Sequence, residues 1–238
     1  MAATPIAKSI QKQASATLRG NKPMKFDQIR QRHFWSCYFF QPDATGYIQS
    51  GRYTLFTTPV GSNGQGFPSG YVITERESNW KSQNRIPDNQ NFQISELGCS
   101  YMSASFAIGT SPAALPLQAP PPGGLSNLFN GSILNITYLT NSVPLGMLCD
   151  WGQSSAPLMG VHQAASTNLK YNAVASNGFA APGLRRKLKI PILLGAGESF
   201  NFAIDVPRPM YVGYGDTTSA PFLIRVEFWA TESFSEKS

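Results

Sequence analysis

From residue 34 onward, apolar positions recur mostly every second residue, in short runs separated by clusters of Gly, Pro, Asn and Ser. A period of two puts neighbouring side chains on opposite faces of an extended chain, so these runs predict strands. Phe34–Phe40 reads as a strand buried on both faces and closed by Gln41-Pro42-Asp43, and Arg52–Thr58 and Tyr71–Thr74 follow as two more. Phe92 and Ile94, then Leu97, Cys99 and Tyr101, alternate with a break at Glu96–Leu97 that predicts a bulge. Ile133–Leu139 is apolar on both faces, and Leu184, Leu188 and Ile190 flank the basic cluster Arg185-Arg186-Lys187. Phe200, Phe202 and Ile204 alternate with Asn201, Ala203 and Asp205. Phe222, Ile224, Val226 and Phe228 alternate with Leu223, Arg225, Glu227 and Trp229. The pattern predicts about eight strands of roughly 5–9 residues.

Helical spacing is confined to the N-terminal segment, where Ile6, Ile10, Ala14 and Leu18 recur at i+4 before Gly20-Asn21-Lys22-Pro23 ends the run. Two long connections carry no strand pattern. Residues 109–131 include Pro112, Pro116 and Pro120-Pro121-Pro122-Gly123-Gly124, and residues 150–183 are rich in Ala, Ser, Asn and Gly. Loops of this length in a compact domain usually contact a partner, so both are expected to be ordered by neighbouring subunits. Eight strands with long end loops favour an all-β, eight-stranded jelly roll, a double-sheet sandwich, over a short-turn meander.

Composition narrows the class. The 42% apolar content supplies a core and argues against intrinsic disorder. No heptad region or run of about 18 apolar residues occurs, and Met1–Gln13 lacks the apolar stretch of a secretory signal. Cys37, Cys99 and Cys149 fit neither a disulfide framework nor a zinc motif; they read as reduced thiols of a protein made in cytoplasm, Cys37 and Cys99 buried in strands.

Charge divides the chain. Residues 1–33 hold Lys8, Lys12, Arg19, Lys22, Lys25, Arg30 and Arg32 against Asp27 alone, which accounts for the whole net charge of +6. Residues 34–238 are neutral, with 12 basic and 12 acidic groups. A basic, partly helical arm (1–33) on a neutral body (34–238) predicts polyanion binding, to nucleic acid first and an acidic membrane surface second.

Signatures of catalysis are missing. His33 and His162 are the only histidines, and no nucleophile elbow, His-Glu-x-x-His, Cys-x-x-Cys or calcium-loop pattern occurs. Gly61, Gly64, Gly66 and Gly70 have the wrong spacing for a phosphate loop and read as a flexible tip. Glu75 and Glu77 read as solvated charges on one strand face, within reach of Arg76 and Arg85. The basic run 184–190 reads as a strand with a charged outer face, and the four tryptophans as core or subunit interface. No metal, cofactor or enzymatic activity is expected.

The arm, the eight-strand pattern and the final strand Pro221–Trp229 together resemble an icosahedral virus coat protein of the jelly-roll type. Ile190–Phe202 is also similar to late-strand hairpins in small phage capsid proteins. The resemblance implies a virion shell subunit made in the host cytoplasm. Its partners would be copies of itself, other virion proteins and, through the seven arm cations, the viral genome. The rival expectation is a β-sandwich carbohydrate-binding or virion spike or fibre module, which explains strands and tryptophans but not the arm.

Overall fold

A computed structural model describes residues 29–103, 122–138, 140–152, 160–161, 172–173, 186–212 and 221–234. Strand accounts for 56% of them, in antiparallel sheets with little helix, as the all-β expectation requires. The predicted helix at 5–18 and most of the 150–183 loop lie outside the described residues.

The larger sheet, sheet I, sets β1 (Ile29–Phe40), β12 (Phe222–Phe234), β4 (Gln90–Ser103) and β9 (Arg186–Leu194) side by side in that order. Sheet II has the order β3 (Gly51–Leu55), β10 (Phe200–Val206), β5 (Ile133–Tyr138) and β6 (Asn141–Met147). Two short ribbons pair β11 (Met210–Tyr211) with β2 (Tyr47–Ile48), and β7 (Gly160–Val161) with β8 (Asn172–Ala173).

The period-two pattern explains the core. Phe34, Phe92, Ile94, Leu97, Ile224, Val226 and Phe228 of sheet I meet Leu55, Leu134, Ile136, Phe200, Phe202 and Ile204 of sheet II in one buried cluster. Phe228 sits among Phe34, Phe56 and Phe202 at ring-centroid distances of 5.1–5.8 Å, within the range of favourable aromatic pairing.

Several boundaries differ from the sequence reading. β1 begins at Ile29, not at residue 34, because β12 runs on to Phe234 and offers partners as far as Ser233. Tyr71–Thr74 forms no strand, although Ile73 is buried. The bulge falls at Ser95, one residue before the expected break: Ile94 pairs with Ala230 and Glu96 with Trp229. β6 carries Pro144, which its edge position tolerates and which obscures its strand character in the sequence.

The proline-rich connection contains the one α-helix among the described residues, α1 (Pro122–Gly131), where a strand-free, non-helical loop was expected. Leu125, Leu128 and Phe129 form its buried stripe at i, i+3 and i+4, and Pro122 opens it, where a missing N–H costs nothing. Gly124 is needed for close approach: a Cβ there would lie 2.7 Å from the Val212 Cα. The adjacent prolines and glycines hid this three-residue stripe.

Candidate nucleic-acid interface

Of the seven arm cations, Lys8, Lys12, Arg19, Lys22 and Lys25 lie outside the described residues. Arg30 and Arg32 belong to β1 and are fixed by strand pairing rather than carried on an arm. The Arg30 guanidinium lies 5.4 Å from the Phe234 ring centroid. That of Arg32 lies 5.5 Å from the Phe34 ring and 3.6 Å from Glu232 Oε2. Burial pushes the Glu232 carboxyl above its ordinary range, against the opposing pull of Arg32 and then Arg30.

The second basic run lies on β9, the far edge of sheet I. Arg186 is 3.6 Å from Asp150, and Lys187 lies opposite Glu96. Between Lys187 and Ile192 the pairing with β4 is interrupted, and Ile190 is 82% exposed. Charge, Pro191 and this irregularity are common devices that keep an edge strand from pairing indiscriminately.

Between these edges, the outer face of sheet I has two unlike halves. The connection from β3 to β4 folds back over one half as a strap. Phe67, Tyr71 and Ile73 cover Cys37, Phe39, Leu223 and Met102 in a second apolar cluster. Gln65, a buried residue with φ +53°, anchors the strap. Its amide nitrogen donates to Ser36 Oγ (2.8 Å) and the Cys37 carbonyl (2.6 Å), and its side-chain oxygen accepts from the Thr58 N–H (3.2 Å). Gly66, at φ +80°, cannot carry a side chain, because a Cβ would overlap the Phe39 carbonyl.

The strap also seals the free edge of β1. The Phe39 N–H donates to the Gln65 carbonyl, and Asn79 bonds Trp35 N–H and the His33 carbonyl through its side chain, each at 2.8–3.0 Å. Glu77 is not a solvated strand charge. It sits buried in a turn of the strap, accepting from the Thr74 N–H and hydroxyl at 2.9 and 2.5 Å. Arg85 pairs with Asp88 at 2.7 Å.

The other half, which the strap touches where the Trp35 Nε1–H donates to the Glu75 carbonyl at 3.2 Å, carries an aromatic row. His33 stacks on Trp229 with centroids 4.4 Å apart and planes 3° apart, and lies 5.2 Å from Trp35. Its Nε2 donates to Glu227 Oε2 at 2.6 Å. Glu227, only 6% exposed, is also 3.2 Å from Arg225 Nε, and the Arg225 guanidinium lies 4.8 Å from the Trp35 ring centroid. Beside this row, where the bulge interrupts β4, a depression of about 190 Å³ is lined by residues that include Gln31, His33, Ser95, Glu96, Trp229 and Thr231.

Sequence reasoning missed this group. Glu227 and Trp229 were legible as the outward partners of Val226 and Phe228, and His33 as the last residue before a strand, but only the register His33↔Trp229 joins them. Burial raises the Cys37 thiol to about 12 and the Cys99 thiol well above its ordinary value, so neither is a reactive thiolate; Cys149 is exposed. Among the described residues, no group of three or more His, Cys, Asp or Glu side chains is arranged to hold a metal ion.

No family model matches the chain, and no curated protein or solved structure is significantly similar to it.

Proposed function

We propose that the chain is a structural subunit that assembles with copies of itself into an icosahedral shell around a viral genome, its N-terminal arm contacting the nucleic acid. The observation that carries this reading is the strand order. Apart from the β5–β6 hairpin, successive long strands alternate between the sheets: β1, β4, β9 and β12 in one, β3, β5, β6 and β10 in the other. The first and last strands are neighbours, and β3 lies beside β10. Two interlocked Greek keys produce this order, which supports an eight-stranded jelly roll, a fold common among capsid proteins.

Charge supports the same reading. A shell multiplies the charge of each subunit, so a neutral body limits repulsion between copies while the arm supplies positive charge. With β1 starting at Ile29, Arg30 and Arg32 belong to the sheet, and the proposed arm is residues 1–28. It keeps five cations, Lys8, Lys12, Arg19, Lys22 and Lys25, which give the contact a steep salt dependence and little sequence preference.

The test is electron microscopy of the purified full-length chain, with the nucleic-acid content of any particles measured by absorbance. Uniform closed shells that enclose nucleic acid are expected. Replacing the five cations with Gln should leave a folded body and particles depleted of nucleic acid. Monomers or trimers that bind a glycan would overturn the reading in favour of a carbohydrate-binding or spike module. Full packaging by the neutralised variant would remove the arm from genome binding.

A further inference from the structure

Exposed apolar side chains are spread unevenly over the surface. Among the described residues six large ones are exposed, and four of them, Val143, Met147, Ile190 and Leu193, lie on β6 and β9. These two edge strands border the same flank of the sandwich. β1 and β3 border the opposite flank, where Tyr53 meets Tyr38 and Phe40 at ring-centroid distances of 5.1 and 4.8 Å. Across the β6–β9 flank, Arg186 of β9 lies 3.6 Å from Asp150, in the turn that follows β6.

This flank has a tip. Ile94 and Glu96 are two residues apart on β4, whereas their partners Ile192 and Lys187 are five apart on β9, so residues 188–191 bow out of the ladder. Leu188 and Ile192 pack against the core and pin the bow on either side. Between them Ile190 stands in solvent, 82% exposed, next to the exposed Lys189. Edge protection accounts for the lysines, Pro191 and the bow, but not for the isoleucine, because a charge at the tip would repel a neighbouring strand better.

We infer that this flank docks on the surface of an anionic lipid bilayer, with Ile190 entering the boundary between headgroups and acyl chains and Arg186, Lys187 and Lys189 meeting the anionic headgroups. The contact goes beyond the shell reading and does not depend on it. Complementarity selects this partner. β6 carries no charge, and the three cations of β9 exceed the carboxylates of Asp150 and of Glu96, which faces Lys187 from β4. A second copy docked symmetrically would set this positive excess against itself. Nucleic acid would satisfy the cations and leave the four aliphatic side chains in water. An anionic bilayer accommodates both, since apolar side chains enter its boundary while cations stay at the headgroups. The contact is interfacial, because the unpaired backbone groups of an edge strand cannot enter hydrocarbon; Pro191 removes one N–H from the tip.

The experiment uses the full-length chain with the five arm cations replaced by Gln, so that lipid binding reports the body. Vesicles of phosphatidylcholine with about 30% phosphatidylserine should co-sediment it, and vesicles of phosphatidylcholine alone should not. Ile190→Ser, at a position too exposed to affect folding, should weaken binding about 5- to 50-fold, and Lys189→Gln about 5-fold. An environment-sensitive fluorophore on Ile190→Cys, made in a Cys149→Ser background, should shift to the blue with the anionic vesicles. Undiminished binding by Ile190→Ser, no blue shift, or equal binding to uncharged vesicles would overturn the inference. So would a variant thiol that resists labelling without lipid, because the protein itself then covers the flank. Self-association without lipid that Ile190→Ser abolishes would assign the flank to a second copy instead. Oligonucleotide binding that Lys189→Gln weakens and Ile190→Ser does not would assign it to nucleic acid. Particle formation by the wild-type chain tests the shell reading separately, so either can fail alone.

Discussion

The two halves of the outer face of sheet I are built from the same strands with the same alternation, yet they do different things. Beneath the strap, Cys37, Phe39 and Leu223 are almost wholly buried and belong to an apolar cluster. Six residues from Phe39 and Leu223 along the same strands, His33 and Trp229 remain partly exposed, beside the buried carboxylate of Glu227. A two-residue period fixes which side chains point outward; what covers them fixes whether they act as core or as surface. The contrast teaches that the strap, and not the strands, divides this face between buried core and exposed surface.

Removing apolar volume from the covered half should have the largest effect. Leu223→Ala is expected to cost about 2–5 kcal/mol, read as a lowered urea midpoint, because its methyl groups fill a closed cluster. A cost below about 1 kcal/mol would mean that the strap does not close over Leu223 in solution.

Next comes the strap's anchor. Gln65→Leu leaves the Cys37 carbonyl and the Ser36 hydroxyl short of a buried partner and should cost about 1–3 kcal/mol. In the wild-type protein only Cys149 should react quickly with a thiol reagent, while Cys37 and Cys99 should wait for unfolding. In the Gln65 variant, Cys37 labelling should accelerate ahead of Cys99. Parallel labelling of the two would show that the strap does not shield the covered half independently.

In the open half, His33→Gln should cost less than about 1 kcal/mol, since the ring is part-exposed and its pairing with Glu227 is one contact among several. A loss as large as that of Leu223→Ala would recast the aromatic row as a structural element and break the comparison.

The smallest effect is expected from Asp43, remote in function from either half. Hydrogen bonds from the Tyr47 N–H, the Thr45 hydroxyl and N–H, and Gln49 hold its carboxyl down from 3.8 to about 2. A depressed folded value stabilises the ionised turn. This contribution is therefore complete above about pH 3.8 and disappears as the pH falls to about 2. Acid titration of Asp43→Asn should lack that component, while the Leu223 and His33 variants should retain it.

The strand content and the inward residues of β1, β10 and β12 were legible because alternation is local: Phe34, Phe202 and Phe228 need only their immediate neighbours to declare a buried face. The bulge was legible within one residue for the same reason, as a slip of phase near Glu96. Divided charge likewise set residues 1–33 apart from the neutral remainder in the sequence. Three things were not local. Arg30 and Arg32 became strand residues because β12 extends to Phe234, a partner 200 positions away in the chain. Helix α1 formed in a Pro- and Gly-rich segment because Leu125, Leu128 and Phe129 had a core to enter, where tertiary burial outweighs weak intrinsic propensity. The row of Trp35, His33 and Trp229 exists only through antiparallel register, and its exposure depends on where the strap stops. Period and charge are properties of neighbours in sequence; register and coverage are properties of neighbours in space, and these decided which outward side chains are buried and which stay exposed.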